Sequence, residues 1–589
     1  MRAIKQNGIN QGYLFSGKMN VYEELPLSEY PRPQMVRDSF VSLHGLWDLS
    51  ISKSKELPRS YDKKVQVPFP LEALDSGVKV LPEPGDYIFY HRIVMLPDNF
   101  KKKEIIIHFE GVDQEATVFI DRKEVLTHVG MYEGFDVVLS DKTPKMFDLV
   151  IRVRDLSDQN DLSHGKQSLQ PKFFTYTTTT GIFRPVWMES VEENYIKSVR
   201  YDVDHKLKKL CVYVETKNKT TLKFYVRENS YEIVSNQWSE LTLDEIHYWS
   251  IEDPYLYDCK IEIPGLDEVS SYFAFRQIET REKDGRSYMY LNGKPLFLSG
   301  LLDQGYYGYN NLTPVRAKEY ERDIVIAKEM GFNCLRVHVT ILPEIFYYYA
   351  DKLGMLLIQD FPNGGDKVPL INVAKPVVFP CLNDEKKTNE KQLGRTNERG
   401  KEEFIQMMKG CSQRLSSHPS IIIYTIFNEG WGQFDASHMY EQLKKEIIDC
   451  QLIDTTSGWY EAEKSDFFSI HTYYCSKMKR KNRYHHCYII SECGGVSKKP
   501  ENAPYDKISG HGKVKSKQKL MKKIEKLYLK DLLPQIKDRG LSGFIYTQIA
   551  DVETEYCGLY DLTRSECKVD VKKMQELNAT LYQAFADMF

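Results

Sequence analysis

Two glutamates close two similar apolar runs, and they are the residues of this chain best suited to chemistry. Glu429 ends the run IIIYTIFNE directly after Asn428, and Glu492 ends the run YIISE. Burying an unpaired carboxylate is costly, so each needs a partner or a function. Two carboxylates that face each other across a pocket can hydrolyse a glycosidic bond, one as the protonated acid and the other as the ionised nucleophile or charge stabiliser.

Other polar side chains stand at or near the ends of further apolar runs. A single His or Arg in such a place is more often a satisfied core residue, but their coincidence at several run ends favours one functional face. The candidates are Asp303, Arg336, His338, Asp360, Trp459, His471, Tyr473, Gln548 and Asp551.

Metal-dependent and Ser- or Cys-based chemistry are weaker alternatives. His338, His471 and Asp360 could be drawn as metal ligands, but the chain has no H-E-x-x-H motif and no H-x-H in its first barrel strand. Cys493 follows Glu492 and would point to the other face of that strand, and no G-x-S-x-G occurs. We therefore predict no catalytic metal and no other cofactor.

Eight apolar runs after Gly285 read as strands, with helical patterns between several of them. They begin at Leu296, Cys334, Met355, Ile421, Thr455, Phe467, Tyr488 and Gly543. Eight strands and intervening helices in about 300 residues predict a (β/α)8 TIM barrel, whose chemistry lies at the carboxyl ends of its strands. An open doubly wound sheet is the rival, but its Gly-rich phosphate turn is missing. Strands four and seven lie on opposite sides of the barrel mouth, so Glu429 and Glu492 can face each other.

Two connections of the predicted barrel are long. One runs from Asn363 to Gly400 after strand three, and the other from Val496 to Lys519 after strand seven. Both emerge on the catalytic face, where long loops form lids or pocket walls. The Lys-rich run that begins at Lys513 is more simply interpreted as the solvated face of a helix.

The region before the barrel is rich in strand signals. Short apolar or alternating runs from about Val41 to Ser190 predict a β-sandwich or jelly roll, with a hairpin turn at Asp121-Arg122. A second block, from about Tyr195 to Gln277, suits an immunoglobulin-like sandwich. The predicted domains are 1–190, 191–280 and 281–589.

Composition narrows the classes of partner. A net charge of −3 over 589 residues gives no reason to expect nucleic acid or an anionic membrane as a partner. No run approaches the roughly 18 apolar residues of a membrane helix, and the first residues show no signal peptide. The eleven Cys are scattered without C-x-x-C, which favours buried free thiols and a cytoplasmic location. A homo-oligomer stays open.

At the level of motifs, almost the whole chain resembles glycoside hydrolase family 2, the family of β-galactosidases, β-glucuronidases and β-mannosidases. FNEGWGQF is similar to that family's acid/base motif and SECGG to its nucleophile motif. The other similar stretches are GVDQEATVFIDRKEV from Gly111, GIFRPVWMES from Gly181, FRQIETREKDGRSYMYLNGKPLFLSGLLDQGYY from Phe275 and YTQIADVETEYCGLYD from Tyr546.

The resemblance implies an N-terminal sugar-binding-like jelly roll, a sandwich and a catalytic TIM barrel, acting on a β-glycoside. It implies that Glu429 is the acid/base and Glu492 the nucleophile of a retaining exo-β-glycosidase. Asn428 would hydrogen-bond the sugar 2-hydroxyl, and Tyr473 would orient the nucleophile. The remaining candidates for the sugar site are Asp303, His338, Trp459 and Gln548.

Two departures from the family pattern bear on the choice of sugar. None of the six Trp lies on the last strand, where the large β-galactosidases and the glucuronidases have one. The Asn-x-Lys triplet of glucuronidases does not occur between Asp551 and Lys568, which argues against glucuronides. We therefore expect β-galactosidase activity, with β-glucuronidase or β-mannosidase as alternatives. A catalytically silent carbohydrate-binding protein, or a metal-dependent hydrolase on the same barrel, is the alternative of another class.

Overall fold

A computed structural model describes residues 2–3, 25–100, 102–204, 208–366, 384, 386–448, 451–473 and 480–589. Two β-sandwich regions come first, and a barrel of parallel strands follows. No helix in these ranges is long and apolar enough to cross a membrane. Cys334 and Cys493 are buried free thiols, as predicted.

The first region packs a six-stranded sheet against a four-stranded sheet. Leu49 and Ile151 of the larger sheet share one apolar core with Ile107 of the smaller. In order across the sheets, the strands are Lys123–Val129, Glu115–Ile120, Met146–Arg154, Tyr87–Met95, Gly45–Ser52 and Lys63–Val67 in one, and Phe135–Ser140, Glu104–Phe109, Val186–Val191 and Val41–Ser42 in the other.

The predicted hairpin of this region is confirmed. Lys123 pairs with Ile120, so that Asp121 and Arg122 form a two-residue turn. Their φ angles are +47° and +64°, as a type I′ turn requires at both central positions.

The second region packs a three-stranded sheet against a four-stranded sheet. Val212 of the first and Phe224 and Ile261 of the second share its core. The strands are Ile196–Asp204, Lys209–Thr216 and Trp238–Thr242 in one sheet, and Asn229–Val234, Thr221–Val226, Tyr257–Ile263 and Asp267–Phe273 in the other. A small sheet of Ile278–Lys283, Arg286–Leu291 and Lys294–Pro295 leads into the barrel.

The barrel has eight strands whose hydrogen-bonded neighbours are all parallel. They are β1 (Leu298–Asp303), β2 (Cys334–Val337), β3 (Leu356–Asp360), β4 (Ile421–Asn428), β5 (Leu452–Ser457), β6 (Phe467–Thr472), β7 (Cys487–Gly494) and β8 (Leu541–Thr547). Their order is β5-β4-β3-β2-β1-β8-β7-β6. At the seam Ser469 of β6 donates to Asp454 of β5 over 2.8 Å. The predicted TIM barrel is confirmed.

Helices surround the strands. They are α1 (Lys318–Glu329), α2 (Glu344–Leu353), α3 (Lys387–Leu393), α4 (Glu398–Leu415), α5 (Ala436–Glu446), α6 (Lys517–Lys526), α7 (Leu533–Arg539) and α8 (Val571–Ala586), with a π-helical turn at Leu527–Leu532. Helix α6 buries Leu520, Met521 and Ile524 and leaves its lysines exposed. The interpretation of the Lys-rich run as a solvated helix face is confirmed.

Several strand ends differ from those predicted. β5 begins at Leu452, before the predicted Thr455, because polar residues such as Asp454 are buried there with hydrogen-bond partners. We expected His338 in strand two and Trp459 in strand five, but β2 ends at Val337 and β5 at Ser457, so both residues follow their strands. Gln548 and Asp551 likewise follow β8. The apolar sequence pattern continues beyond the last hydrogen bond between neighbouring strands, so it predicts strand ends that lie too late in the chain.

The long connections are only partly described. After β3, residues 367–383 and 385 lie outside the described ranges. Helices α3 and α4 begin in the described part of this connection. After β7, the pair Ser497–Lys498 runs parallel to Lys513–Val514 before α6 begins. A lid role for either connection stays a prediction.

A segment of the first sandwich region reaches the mouth of the barrel. We call residues 158–176 the mouth segment. Ser163 pairs with Gly364 after β3 and donates from its backbone and side chain to Glu403 of α4, over 2.9 and 2.8 Å. The hydroxyl of Tyr176 donates to Glu555 after β8. The sandwich therefore supplies part of the wall around the strand ends.

Candidate active site

The two glutamates of the sequence analysis meet at the barrel mouth. Glu492 lies in β7, Glu429 directly follows β4, and His471 of β6 lies between them. His471 Nδ1 is 2.8 Å from Glu429 Oε1, and its Nε2 is 3.4 Å from Glu492 Oε1. One carboxylate oxygen of each glutamate and one ring nitrogen of His471 all lie within 4.8 Å of one another.

The backbone bends sharply at the end of β4. Glu429 has a φ of +54°, a region that residues with a side chain seldom enter and that is concentrated at functional sites. At Gly430, with a φ of +74°, an added Cβ would lie 2.6 Å from the ring of Tyr460. Glycine is therefore required immediately after the glutamate, which accounts for the E-G pair of the sequence.

Arg336 of β2 connects the residues of the site. Its guanidinium donates to Asp360 Oδ1 over 3.0 Å and to Glu492 Oε1 over 3.1 Å. It also donates to Asn428 Oδ1 over 2.9 Å. Arg336 and Asp360 are fully buried, and the planar fork of a guanidinium fixes the orientation of each acceptor. Sequence analysis named Arg336 as a candidate but did not predict this central position.

The charges around Glu492 set its protonation state. Burial by itself raises the pKa of Glu492, but electrostatic interactions with His471, His338 and the permanently charged Arg336 oppose it and hold the pKa below its usual value. Glu492 is 4% exposed, so solvent screens these charges little. The side chain is therefore an ionised carboxylate at neutral pH.

His338 is held as a neutral ring beside this carboxylate. Burial, and then the charge of Lys166, lower the pKa of His338 to about 4. Its Nδ1 lies 2.9 Å from Asp360 Oδ2, so in the neutral ring the Nδ1 proton is donated to Asp360. Its Nε2 is buried and has no hydrogen-bond partner, and it lies 3.8 Å from Glu492 Oε1.

Tyr473 orients the other oxygen of Glu492. Its hydroxyl donates to Glu492 Oε2, and burial, followed by the charge of Glu492, raises the pKa of Tyr473 above its usual range. Its ring stacks on His511 with centroids 3.4 Å apart. His511 stacks in turn on Phe174 of the mouth segment, at 5.0 Å. The connection after β7 and the sandwich region thus both support the tyrosine.

Comparisons with known proteins give the family. The family model "Glycosyl hydrolases family 2" matches residues 188–276, and "Glycosyl hydrolases family 2, TIM barrel domain" matches residues 283–558. Together they span more than half of the chain. The chain belongs to glycoside hydrolase family 2. It is therefore a glycosidase that acts on carbohydrate, and the resemblance seen in the motifs is confirmed.

The relatives of this chain are named as enzymes for different sugars. A β-glucuronidase of Streptococcus agalactiae is 23% identical over 443 residues, 70% of each chain. A β-galactosidase of Thermoanaerobacter pseudethanolicus is 25% identical over 309 residues, 47% of this chain and 40% of the relative. This chain therefore matches less than half of the galactosidase's length.

Solved structures agree on the fold. A family 2 β-galacturonidase of Eisenbergiella tayi has a TM-score of 0.66 at 18% identity, covering 95% of this chain and 98% of that one. A β-D-glucuronidase of Dictyoglomus thermophilum has a TM-score of 0.73 at 16% identity, covering 93% and 98%. At these identities the likeness extends to the fold alone.

Asn428 and Trp459 lie close to the glutamates. Because the side-chain oxygen of Asn428 accepts from Arg336, its NH2 group points the other way and can donate. The Trp459 ring lies 5.4 Å from that of His471, and its indole nitrogen is buried without a partner.

Asp303 and Gln548 lie apart from the glutamates in the hydrogen-bond network. Asp303 Oδ1 accepts from the backbone of Gly305, whereas its Oδ2 is buried without a partner. Burial, and then the charge of Asp323, raises the pKa of Asp303 to about 7. Gln548 accepts from Gln304 over 2.7 Å. In the ranges that the structure describes, no hydrogen bond or ion pair joins either residue to Glu429 or Glu492.

Lys166 is a residue of the site that sequence analysis missed. It lies in the mouth segment, with Nζ 6.0 Å from the centre of the Tyr176 ring. The preceding Gly165 donates to the Asn363 carbonyl over 2.8 Å at the end of β3. The charge of Lys166 contributes to the lowered pKa values of both His338 and Glu492. No local pattern in the sequence could have indicated that this loop lysine faces the barrel mouth.

The same cluster contains the atoms that could hold a metal ion. Among the described residues, Glu429, His471 and Glu492 are the group whose ligand atoms converge closely enough. However, the Arg336 guanidinium already lies 3.1 Å from Glu492 Oε1, and its fixed positive charge opposes a second cation at that oxygen. This arrangement suits an ion pair between Arg336 and Glu492 better than metal binding.

Proposed function

We propose that the protein is a retaining β-glycosidase with Glu492 as nucleophile and Glu429 as acid/base. The observation that carries the proposal is the approach of the two glutamates, since one carboxylate oxygen of Glu429 lies within 4.8 Å of one carboxylate oxygen of Glu492. Carboxyl groups about 5–5.5 Å apart are typical of retaining enzymes, whereas inverting enzymes keep about 6.5–9.5 Å for a water molecule.

The surroundings of the two carboxyls support different roles. Glu492 is buried and accepts hydrogen bonds from Arg336 and Tyr473, which favour its ionised form and hold it in the orientation that a nucleophile needs. The Glu429 side chain is 20% exposed and shares a hydrogen bond with His471. An acid/base must exchange a proton with the leaving group and with water, which requires this access.

The reaction follows from these roles. In the first step Glu429 gives its proton to the glycosidic oxygen, the bond from that oxygen to C1 breaks, and a Glu492 oxygen bonds to C1. In the second step a water oxygen bonds to C1, its proton passes to Glu429, and the ester bond to Glu492 breaks. Two inversions at C1 retain the configuration. The free NH2 group of Asn428 is placed to donate to the sugar 2-hydroxyl.

For the sugar, β-galactosides remain our first candidate, as the sequence indicated. A specific observation favours β-hexuronides as the second candidate. Lys166 brings a positive charge to the side of the mouth where His338 and Glu492 lie, and a carboxylate on the sugar would pair with it. Lys166 would then substitute for the cation that glucuronidases carry after the last strand.

A panel of aryl β-galactosides, β-glucuronides, β-galacturonides and β-mannosides tests both the proposed mechanism and the proposed sugar. We expect turnover of at least one, with the β-anomer of the free sugar appearing first by NMR. The α-anomer as first product would refute the retaining mechanism, and no turnover of any member would favour the silent binding protein.

Lys166→Met separates the two sugar candidates within this panel. If hexuronides are substrates, the variant lowers kcat/KM for them by about 10-fold or more, since a charge-assisted hydrogen bond contributes about 1.5–3 kcal/mol, and changes galactoside turnover little. An equal effect on both sugars would count against carboxylate recognition. Lys142→Met, at an exposed lysine of the first sandwich region, is the matched control.

A further inference from the structure

Positive charge is concentrated on and around helix α6, beside the mouth of the barrel. Residues 513–530 contain eight lysines and a single acid, Glu525, although the whole chain has a net charge of −3. All eight lysines are exposed. We call them the lysine strip, and they are Lys513, Lys515, Lys517, Lys519, Lys522, Lys523, Lys526 and Lys530.

The charges of the lysine strip are not neutralised by nearby carboxylates. Among the residues that the structure describes, no ion pair involves a lysine of the strip. The acid within the strip, Glu525, instead lies 3.9 Å from Lys573 of α8. Other lysines of this part of the barrel do form ion pairs, such as Lys498 with Glu566 and Lys568 with Asp551. The strip therefore presents free positive charge to its surroundings.

Half of the strip lies along one face of α6. The members that are three or four residues apart, and therefore neighbours on the helix surface, are Lys519, Lys522, Lys523 and Lys526. Like charges at these spacings repel each other and destabilise a helix. The packing of α6 uses the opposite face, where Leu520, Met521 and Ile524 are buried. An anion lying along the exposed face would remove the repulsion.

The strip begins at the rim of the active site. His511 stacks on Tyr473 with ring centroids 3.4 Å apart, and its backbone donates to the Gly495 carbonyl over 2.8 Å, directly after β7. Lys513 follows two residues later, so its Cα lies within about 7 Å of that of His511. Helix α6 then leads the chain back toward the start of β8. From Lys519 to Lys526 it extends the strip by about 10 Å along the outer wall of the barrel.

The surroundings of the strip discriminate between kinds of polyanion. Sites for single-stranded nucleic acid combine basic groups with exposed aromatic rings, but the one aromatic residue within the strip, Tyr528, is fully buried. A helix that lies on a membrane buries its apolar face in lipid, whereas the apolar face of α6 packs into the core of the barrel. A single row of ammonium groups at the rim of a glycosidase active site suits one linear carbohydrate chain.

We propose that the lysine strip is a docking surface for an acidic polysaccharide, a linear chain that carries carboxylates on its sugars. The complementary charges of the two surfaces supply the attraction. This inference goes beyond the proposed function, because it names a partner for the outer wall of the barrel and not the sugar cleaved at its mouth. Docking would hold the enzyme among carbohydrate chains and raise the concentration of chain ends at the active site.

The first experiment measures binding to fluorescein-labelled hyaluronan, a β-linked chain with a carboxylate on every second sugar, by fluorescence polarisation. Changing four lysines of the α6 face to Gln should raise the Kd by about 10-fold or more, since each exposed charge contributes a few-fold. Added salt should weaken binding by the unaltered protein. The four changes are Lys519→Gln, Lys522→Gln, Lys523→Gln and Lys526→Gln.

The matched control removes the same number of charges from exposed lysines of the two sandwich regions, and its Kd should stay within about twofold. Its changes are Lys123→Gln, Lys142→Gln, Lys197→Gln and Lys223→Gln. Equal weakening in both variants, or no binding of hyaluronan by the unaltered protein, would overturn the docking surface.

Competition identifies the class of partner. Unlabelled hyaluronan should displace the probe, and neutral dextran should not. Duplex DNA, vesicles of phosphatidylserine and phosphatidylcholine, and dextran sulfate are compared with hyaluronan at equal concentrations of charge. Displacement by any of these three at lower concentration than by hyaluronan would assign the strip to another polyanion and overturn the proposal.

Turnover separates this proposal from the proposed function. The α6 variant should keep the kcat/KM of the unaltered protein on the best aryl glycoside of the panel, because no described hydrogen bond or ion pair joins the strip to Glu429 or Glu492. An active enzyme that does not bind hyaluronan overturns only the docking surface. Strip-dependent binding by a protein inactive on every glycoside supports the docking surface and refutes the proposed hydrolysis.

Discussion

Asp303 ends β1 and Asp360 ends β3 at the same mouth of the barrel, yet their replacement by Asn should affect stability with a different dependence on pH. Both carboxyls are fully buried. Asp303 has one oxygen without a partner and a pKa raised to about 7 by burial and by Asp323. For Asp360, burial is outweighed by Arg336 and His338, which hold its pKa below the usual value. The perturbation is Asp303→Asn, with Asp360→Asn as the matched control.

The magnitude follows from the pKa of Asp303. An unfolded Asp titrates near pH 3.9, about three units below the folded group, and each unit is about 1.4 kcal/mol. The ionised Asp303 therefore lowers the free energy of unfolding by about 4 kcal/mol above pH 7. This penalty shrinks to about 1–2 kcal/mol at pH 5 and disappears below about pH 3, where the folded and unfolded groups are both protonated.

Asp303→Asn removes this penalty and adds a constant cost for an amide without a partner. Comparison of two pH values cancels the constant cost. The change in the free energy of unfolding caused by the substitution should therefore be about 2–3 kcal/mol more favourable at pH 8 than at pH 5. In a barrel of this size that corresponds to roughly 5 °C in the Tm difference. Differential scanning calorimetry of both proteins at both pH values measures it.

Asp360→Asn should behave differently. A carboxyl with a lowered folded pKa stabilises the protein at all pH values above about 4, and it does so equally at pH 5 and pH 8. Its loss leaves Arg336 with one buried partner fewer, at a cost of about 3–5 kcal/mol. If Asp303→Asn also lowers the Tm, and by the same amount at both pH values, the account of Asp303 as a destabilising buried charge is wrong.

Three further substitutions have expected outcomes. Tyr473→Phe removes a hydrogen-bond donor to Glu492, which raises the pKa of that carboxyl. The acid limb of the pH profile of kcat/KM should therefore move to higher pH, and an unmoved limb would contradict the hydrogen bond. Asn428→Ala should lower kcat/KM by about 100-fold, measured on aryl glycosides, and a rise in KM without a fall in kcat would show that the amide binds the ground state and the transition state equally. Gly430→Ala should reduce activity strongly, because its Cβ would lie 2.6 Å from Tyr460; activity like that of the unaltered protein would show that the left-handed turn is not required.

The sequence predicted the parts of the site that follow from chain order. Counting apolar runs placed Glu429 and Glu492 after strands four and seven, and the structure brings them together through His471. Regular barrel topology makes such a prediction possible, because it fixes where strand ends meet. The motifs added the family, which the comparisons confirm.

The residues that were missed depend on contacts between distant parts of the chain. Lys166 reaches the site only because the mouth segment pairs with Gly364 and bonds to Glu403. The central position of Arg336 depends on the approach of β3, β4 and β7 to its guanidinium, which no sequence periodicity indicates. The start of β5 was placed too late, since its buried Asp454 has partners that only the tertiary structure supplies.

Azide most directly tests the assignment of Glu492 as nucleophile and Glu429 as acid/base. In Glu492→Ala, azide can occupy the space of the lost carboxylate and attack C1 from the α face, so an aryl β-glycoside should give the α-glycosyl azide. In Glu429→Ala, the intermediate on Glu492 still forms and azide attacks it from the β face, so the β-glycosyl azide should result. NMR of the two products distinguishes them. A β-azide from Glu492→Ala, or an α-azide from Glu429→Ala, would contradict the assignment.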